Sequence, residues 1–91
     1  MPDRSRLRPA TPWARDLLAK MTPEARATLE AAIPPRMAVA LSGRPPNVVA
    51  WLLDDRHYEP RQRAFSNHHS SQWAAVWAVL AIYNARQAEN A

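Results

Sequence analysis

The side chains able to do chemistry crowd into one stretch, "DDRHYEPRQRAFSNHHS", residues 54–70, which holds Asp54, Asp55, His57, Glu59, Ser66, His68 and His69. Three histidines and three carboxylates invite a metal site. However, His68 and His69 are adjacent, so on a helix their rings diverge by about 100°, and no spacing in the stretch matches a ligand template. The consecutive Asp54 and Asp55 likewise diverge instead of facing each other across a cleft as a catalytic carboxylate pair does. A serine nucleophile needs a strained turn and an orienting acid behind its histidine, and neither Ser42 nor Ser66 has that context. A single glycine rules out a glycine-rich phosphate loop, and the absence of cysteine rules out thiolate chemistry and disulfides. No catalytic residue, metal ligand or cofactor is expected, and the sequence reads as a non-enzyme.

Charge is the stronger signal. The chain of 91 residues carries a net charge of +4, and position says more than total. Residues 1–11 hold Arg4, Arg6 and Arg8 against Asp3, and residues 56–65 hold Arg56, Arg61 and Arg63 against Glu59. Elsewhere acids and bases balance, so the whole excess sits in a terminal arm and a loop. A polyanionic partner follows from this, with Arg4, Arg6, Arg8, Arg56, Arg61 and Arg63 as phosphate ligands.

The elements that must position these groups are read from the prolines and the apolar spacing. "TPWARDLLAKM" offers Thr11 as N-cap and Pro12 at the first helical position, with Trp13, Leu17, Leu18 and Met21 on one stripe. "TPEARATLEAAI" repeats the device with Thr22 and Pro23 and spaces Ala25, Leu29 and Ile33 on one face. Pro34 and Pro35 close that helix, residues 36–41 suggest a third, "NVVAWLLDD" a fourth, and "SQWAAVWAVLAIYNAR", capped by Ser70, a last. The expected fold class is all-α: a compact bundle of about five helices, with a helix-turn-helix-like pair and a long apolar C-terminal helix. The domain plan is a basic flexible arm over 1–11, a single helical domain over 12–88 and a tail over 89–91.

On the last helix Trp73, Trp77 and Leu80 make a ridge, and Ala74, Ala78, Ala81 and Ala85 a small-residue row. Such a helix is either the centre of the core or a homodimer contact, with Trp73, Ala74, Trp77, Ala78, Ala81 and Ala85 as the interface. Trp13, Trp51, Trp73 and Trp77 could stack on bases, but their place on apolar stripes reads as core. The apolar run over 73–83 is far short of the roughly 18 residues of a membrane span. "MPDRSRLRPATP" has no apolar stretch after its charges, so no secretory signal is read there and a cytoplasmic location is expected.

The stretch "RMAVALSGRPPNVVAWLLDD", residues 36–55, resembles the helix-turn-helix of phage-repressor-type DNA-binding proteins over about 20 residues. Ala38 matches the family's small residue, Leu41 the apolar residue before its turn, and Val48 and Trp51 its second-helix anchors. The family's turn glycine falls at Ser42 here, with Gly43 one position later. The resemblance implies a reading helix on which Arg44, Asn47, Val49 and Ala50 contact base edges. The same apolar residues equally suit the buried central helix of a bundle.

The function expected from these features is a small sequence-specific DNA-binding transcriptional regulator, bacterial or from a phage or plasmid. It would occupy double-stranded DNA as a homodimer, with no cofactor and no membrane contact. The competing class is a non-enzymatic helical protein-interaction module, such as a phage-encoded inhibitor or adaptor with an acidic protein partner. An RNA-binding helical protein comes third.

Overall fold

In the computed structural model, which describes residues 5–56 and 61–90, the double proline at 45 and 46 joins two strands. The elements run β1 (Leu7–Pro9), a short 3-10 turn (Pro12–Ala14), α1 (Arg15–Ala19), α2 (Pro23–Ala32), β2 (Met37–Arg44), β3 (Asn47–Asp54), β4 (Arg61–Phe65) and α3 (Gln72–Glu89). The strands form one sheet in the order β1-β2-β3-β4. β1 and β2 are parallel and joined by the crossover that carries α1 and α2, whereas β2, β3 and β4 meander antiparallel. The protein is therefore a mixed α/β fold, which overturns the all-α bundle.

The helix-turn-helix-like pair is a β-hairpin. Arg44 pairs with Asn47 across the two prolines, whose peptide bond is cis, and the register runs back through Leu41 opposite Ala50 and Val39 opposite Leu52 to Met37 opposite Asp54. Both strands are apolar on both faces, so their sequence reads as two continuous runs with no polar residue at alternate positions. Runs of this length fit a buried helix and a strand apolar on both faces alike, and the helical reading failed on that ambiguity. The β-branched Val39, Val48 and Val49 and the aromatic Trp51 suit the pleated surface better than a helix.

One face of the sheet carries the core. Leu7, Val39, Leu41, Val48, Ala50, Leu52 and Ala64 pack against Leu17 and Leu18 of α1, Leu29 and Ile33 at α2, and Ala75, Val76, Val79 and Leu80 of α3. Each fully buried large side chain stabilises the fold by about 1.5–3 kcal/mol relative to exposure. The helices begin as their caps require. Thr22 Oγ1 accepts from the Ala25 N–H at 3.1 Å with Pro23 behind it, and Ser71, not Ser70, accepts from the Ala74 N–H at 3.2 Å. Thr11 flanks the 3-10 turn without a side-chain cap, and its buried hydroxyl has no hydrogen-bond partner among the described residues. Gln72 Nε2 donates to the Leu17 carbonyl at 2.7 Å and ties the start of α3 to α1.

The expected long apolar C-terminal helix is corrected as well. α3 buries one side only, and every residue from Asn84 to Asn90 is exposed. Among the described residues no helix is long and apolar enough to cross a membrane. At the N-terminal end, Leu7–Pro9 of the expected basic arm is the strand β1, while Arg4 lies outside the described residues.

Gly43 holds φ at +91°, and a Cβ there would overlap the Asn47 carbonyl oxygen across the hairpin. Gly43→Ala is expected to cost about 1–3 kcal/mol in urea unfolding, the range for a side chain forced into that conformation. Leu41→Ala, made in the fully buried core, is expected to cost about 2–5 kcal/mol.

Candidate functional site

α1, α2 and α3 cover the same face of the sheet, and among the described residues no helix lies on the opposite face. By register that face carries Arg8 of β1, Ala38, Ala40, Ser42 and Arg44 of β2, Asn47, Val49, Trp51 and Leu53 of β3, and Gln62 and Phe65 of β4. Ala38, Ala40 and Val49 lie low in this surface, and the larger Trp51, Leu53 and Phe65 stand half-buried around them. Trp51 and Phe65 are direct cross-strand partners with ring centroids 5.5 Å apart and planes tilted by 35°. Such a pair both stabilises the strands and offers an aromatic surface to a ligand. A cleft of about 480 Å³ runs beside Trp51 and Leu53, bounded by Arg8, Pro9 and Thr11.

A bulge between Leu52 and Leu53 leaves Arg63 as the extra residue of β4, between Gln62 and Ala64. Arg61 and Arg63 are exposed on this edge strand, and Arg44 is exposed at the hairpin tip. None of the three makes an ion pair among the described residues. Arginines on an edge strand also discourage strand addition by another chain.

Of the other arginines named from the sequence, Arg6, Arg8 and Arg56 are engaged within the fold. Arg6 donates to the carbonyls of Glu30 at 3.1 Å and Met37 at 3.4 Å, and also to those of Ile33 and Pro34. It thereby satisfies carbonyls at the C-terminal end of α2, which the helix cannot pair itself. Arg8 makes a two-pronged pair with Asp55, at 3.1 and 2.7 Å. Arg56 grips Asp54, which is only 2% exposed, with its closest approach at 2.6 Å. The Asp54 carboxylate, by hydrogen bond and charge, raises the Arg56 guanidinium above its ordinary value. The two carboxylates thus take different arginines.

The expected base-reading set is dispersed. Ala50 is fully buried beneath the helices, Val49 is buried low in the open face, and only Arg44 and Asn47 reach the surface, side by side at the hairpin tip. The Ser66 hydroxyl is spent on structure, accepting from the Ala50 N–H at 2.8 Å and donating to the Asn67 carbonyl at 2.7 Å. His69 forms a backbone bridge to Val48, and His68 is exposed. Among the described residues no group of three metal-ligating side chains assembles, and His57 and Glu59 lie outside them.

The tryptophans were expected in the core, and the structure corrects this. Trp13 is 67%, Trp73 44% and Trp77 37% exposed. Trp73 and Trp77 meet edge to face at 5.7 Å on the outer side of α3, with Ala81 and Ala85 exposed further along the helix and Ala74 and Ala78 half-buried beside them. The aromatic pair on the open face left no signal in the sequence, because "VVAWLL" is apolar at every position and its partner Phe65 lies beyond a connection of unknown register. Comparison with family models, with curated proteins and with solved structures finds no match to this chain.

Separating fold arginines from surface arginines gives a direct test. Arg6→Lys removes the planar fork that reaches several carbonyls and is expected to lower stability by about 1.5–3 kcal/mol in denaturant unfolding. Arg61→Ala, on the surface, is expected to change it by less than about 0.5 kcal/mol.

Proposed function

We propose that the protein is a single-stranded nucleic-acid-binding module that receives unpaired bases on the open face of its sheet. The observation that carries the reading is the Trp51 and Phe65 pair on the sheet face that no described helix covers, with exposed Arg63 two residues from Phe65 and exposed Arg61, opposite Asp54, on the same edge strand; neither arginine makes an ion pair among the described residues. Stacking on such rings is tolerant of sequence because every base has a π-face, and guanidinium groups along the adjacent edge neutralise the backbone. The net charge of +4 adds long-range attraction for a polyanion. A reading helix in the major groove of duplex DNA is not retained, since residues 36–55 form a hairpin whose middle is buried.

The ridge on α3 supports a homodimer as part of the same reading. Its bulky residues, Trp73 and Trp77, stand in the N-terminal half and its exposed alanines, Ala81 and Ala85, in the C-terminal half. In an antiparallel pair of α3 helices related by a two-fold axis, each tryptophan pair would lie over the partner's alanines. That self-complementary shape favours a second copy over an unrelated partner.

Fluorescence anisotropy with a labelled single-stranded oligonucleotide tests the first part. Trp51→Leu is expected to weaken binding by about 1–3 kcal/mol per base stacked. Arg61→Ala and Arg63→Ala are each expected to reduce the slope of log K against log salt by about 0.7. Equal or tighter binding of a duplex, or unchanged affinity in the Trp51 variant, would count against the open face. For the second part, light scattering is expected to report a dimer for the parent chain and a monomer for the Trp73→Ala, Trp77→Ala double variant.

A further inference from the structure

A second groove, of about 680 Å³, opens between the 3-10 turn with α1 and the tip of the β2/β3 hairpin. It shares no lining residue with the cleft on the open face. Trp13, the most exposed tryptophan, stands in its wall, and Arg15, Lys20 and Arg44 converge on it from two separate elements. None of these three cations makes an ion pair or a side-chain hydrogen bond among the described residues. Asp16 is the one carboxylate in the lining, and Gly43 exposes backbone there with no side chain in the way. The volume is ordinary for a small-molecule site, roughly 300–1,000 Å³.

Three cations gathered around one groove, with a single carboxylate among them, repel one another unless an anion sits between them. An exposed indole beside them costs free energy in water unless a flat apolar partner covers it. We propose that this groove binds a nucleoside phosphate, with the base on Trp13, the phosphate oxygens on Arg15, Lys20 and Arg44, and Asp16 accepting from a sugar hydroxyl or base amino group. Arg44 is the residue that joins the two halves, since only the hairpin brings it to the helices. The ligand chemistry is the same whether the nucleotide is free or is the phosphorylated end of a strand. The inference stands apart from the open-face reading, because its residues and its ligand contacts differ.

Titration of the intact chain with adenosine monophosphate, adenosine and inorganic pyrophosphate, followed by calorimetry, tests it. Adenosine monophosphate is expected to bind at least about tenfold more tightly than adenosine, the difference one charge-assisted phosphate contact makes. Arg15→Ala with Arg44→Ala is expected to weaken the nucleotide by about tenfold or more. Trp13→Ala is expected to weaken it by about tenfold while leaving pyrophosphate unchanged. All of these are exposed residues, and a thermal melt confirms that each variant is folded. A 5′-phosphorylated oligonucleotide that competes better than its unphosphorylated twin identifies a strand end as the source, and competition by neither identifies the free nucleotide. Absence of saturable nucleotide binding, or binding indifferent to Trp13 or to the two arginines, overturns the assignment. Repeating the titration with Trp51→Leu keeps the readings apart, since loss of oligonucleotide binding there with nucleotide binding intact touches the open face alone.

Discussion

Eight consecutive cross-strand pairs between Met37–Arg44 and Asn47–Asp54 decide which side chains the helices cover. Because side chains alternate across a strand, slipping β3 by one residue against β2 would send Val48, Ala50 and Leu52 to the outer face and bring Trp51 and Leu53 inward. The core, the aromatic pair and the position of Arg44 all depend on this pairing. The hairpin tip holds it in place: two prolines leave no donor in the turn, and Gly43 lets the chain pass the Asn47 carbonyl.

A sheet covered by helices on one face only leaves an uneven surface. α1, α2 and α3 all pack onto the face of Val39 and Leu52, so the other face keeps apolar and aromatic side chains with no helix over them. Small residues, Ala38 and Ala40, keep that surface low enough for Trp51 and Phe65 to stand proud of it. The proposed binding of a flat base and a charged backbone rests on this apolar surface beside arginines that make no ion pair among the described residues. The outer ridge of α3 is different in character: its large and small residues complement each other, and charge plays little part until Arg86.

The arginines divide by what surrounds them. Arg6, Arg8 and Arg56 lie where carbonyls or carboxylates are already gathered by the fold, and their donors are taken up there. Arg15 opens α1, Arg44 sits at the hairpin tip, and Arg61 and Arg63 lie on β4; all four are exposed and make no ion pair among the described residues. Charge counted along the chain cannot separate these groups, because the acceptors that engage Arg6 and Arg8 lie 24–47 residues away, the Ser5 carbonyl on Arg8 excepted.

Some of this was legible in the residues alone. The Thr-Pro start of α2 and the helical character of residues 72–86 rest on neighbours within one turn, and the structure forms helices there. So did the divergence of Asp54 and Asp55. The two halves of the hairpin were not legible, since a run such as "NVVAWLL" satisfies helical and extended spacing equally. Which periodicity applies depends on whether a second strand lies alongside. The exposure of Trp13, Trp73 and Trp77, the meeting of Trp51 with Phe65 and the approach of Arg44 to Trp13 were likewise beyond the sequence. Local propensity acts over a few residues through sterics and capping, whereas these arrangements arise when distant segments compete to bury the same apolar surface. That competition was settled only when the sheet chose one face for its helices.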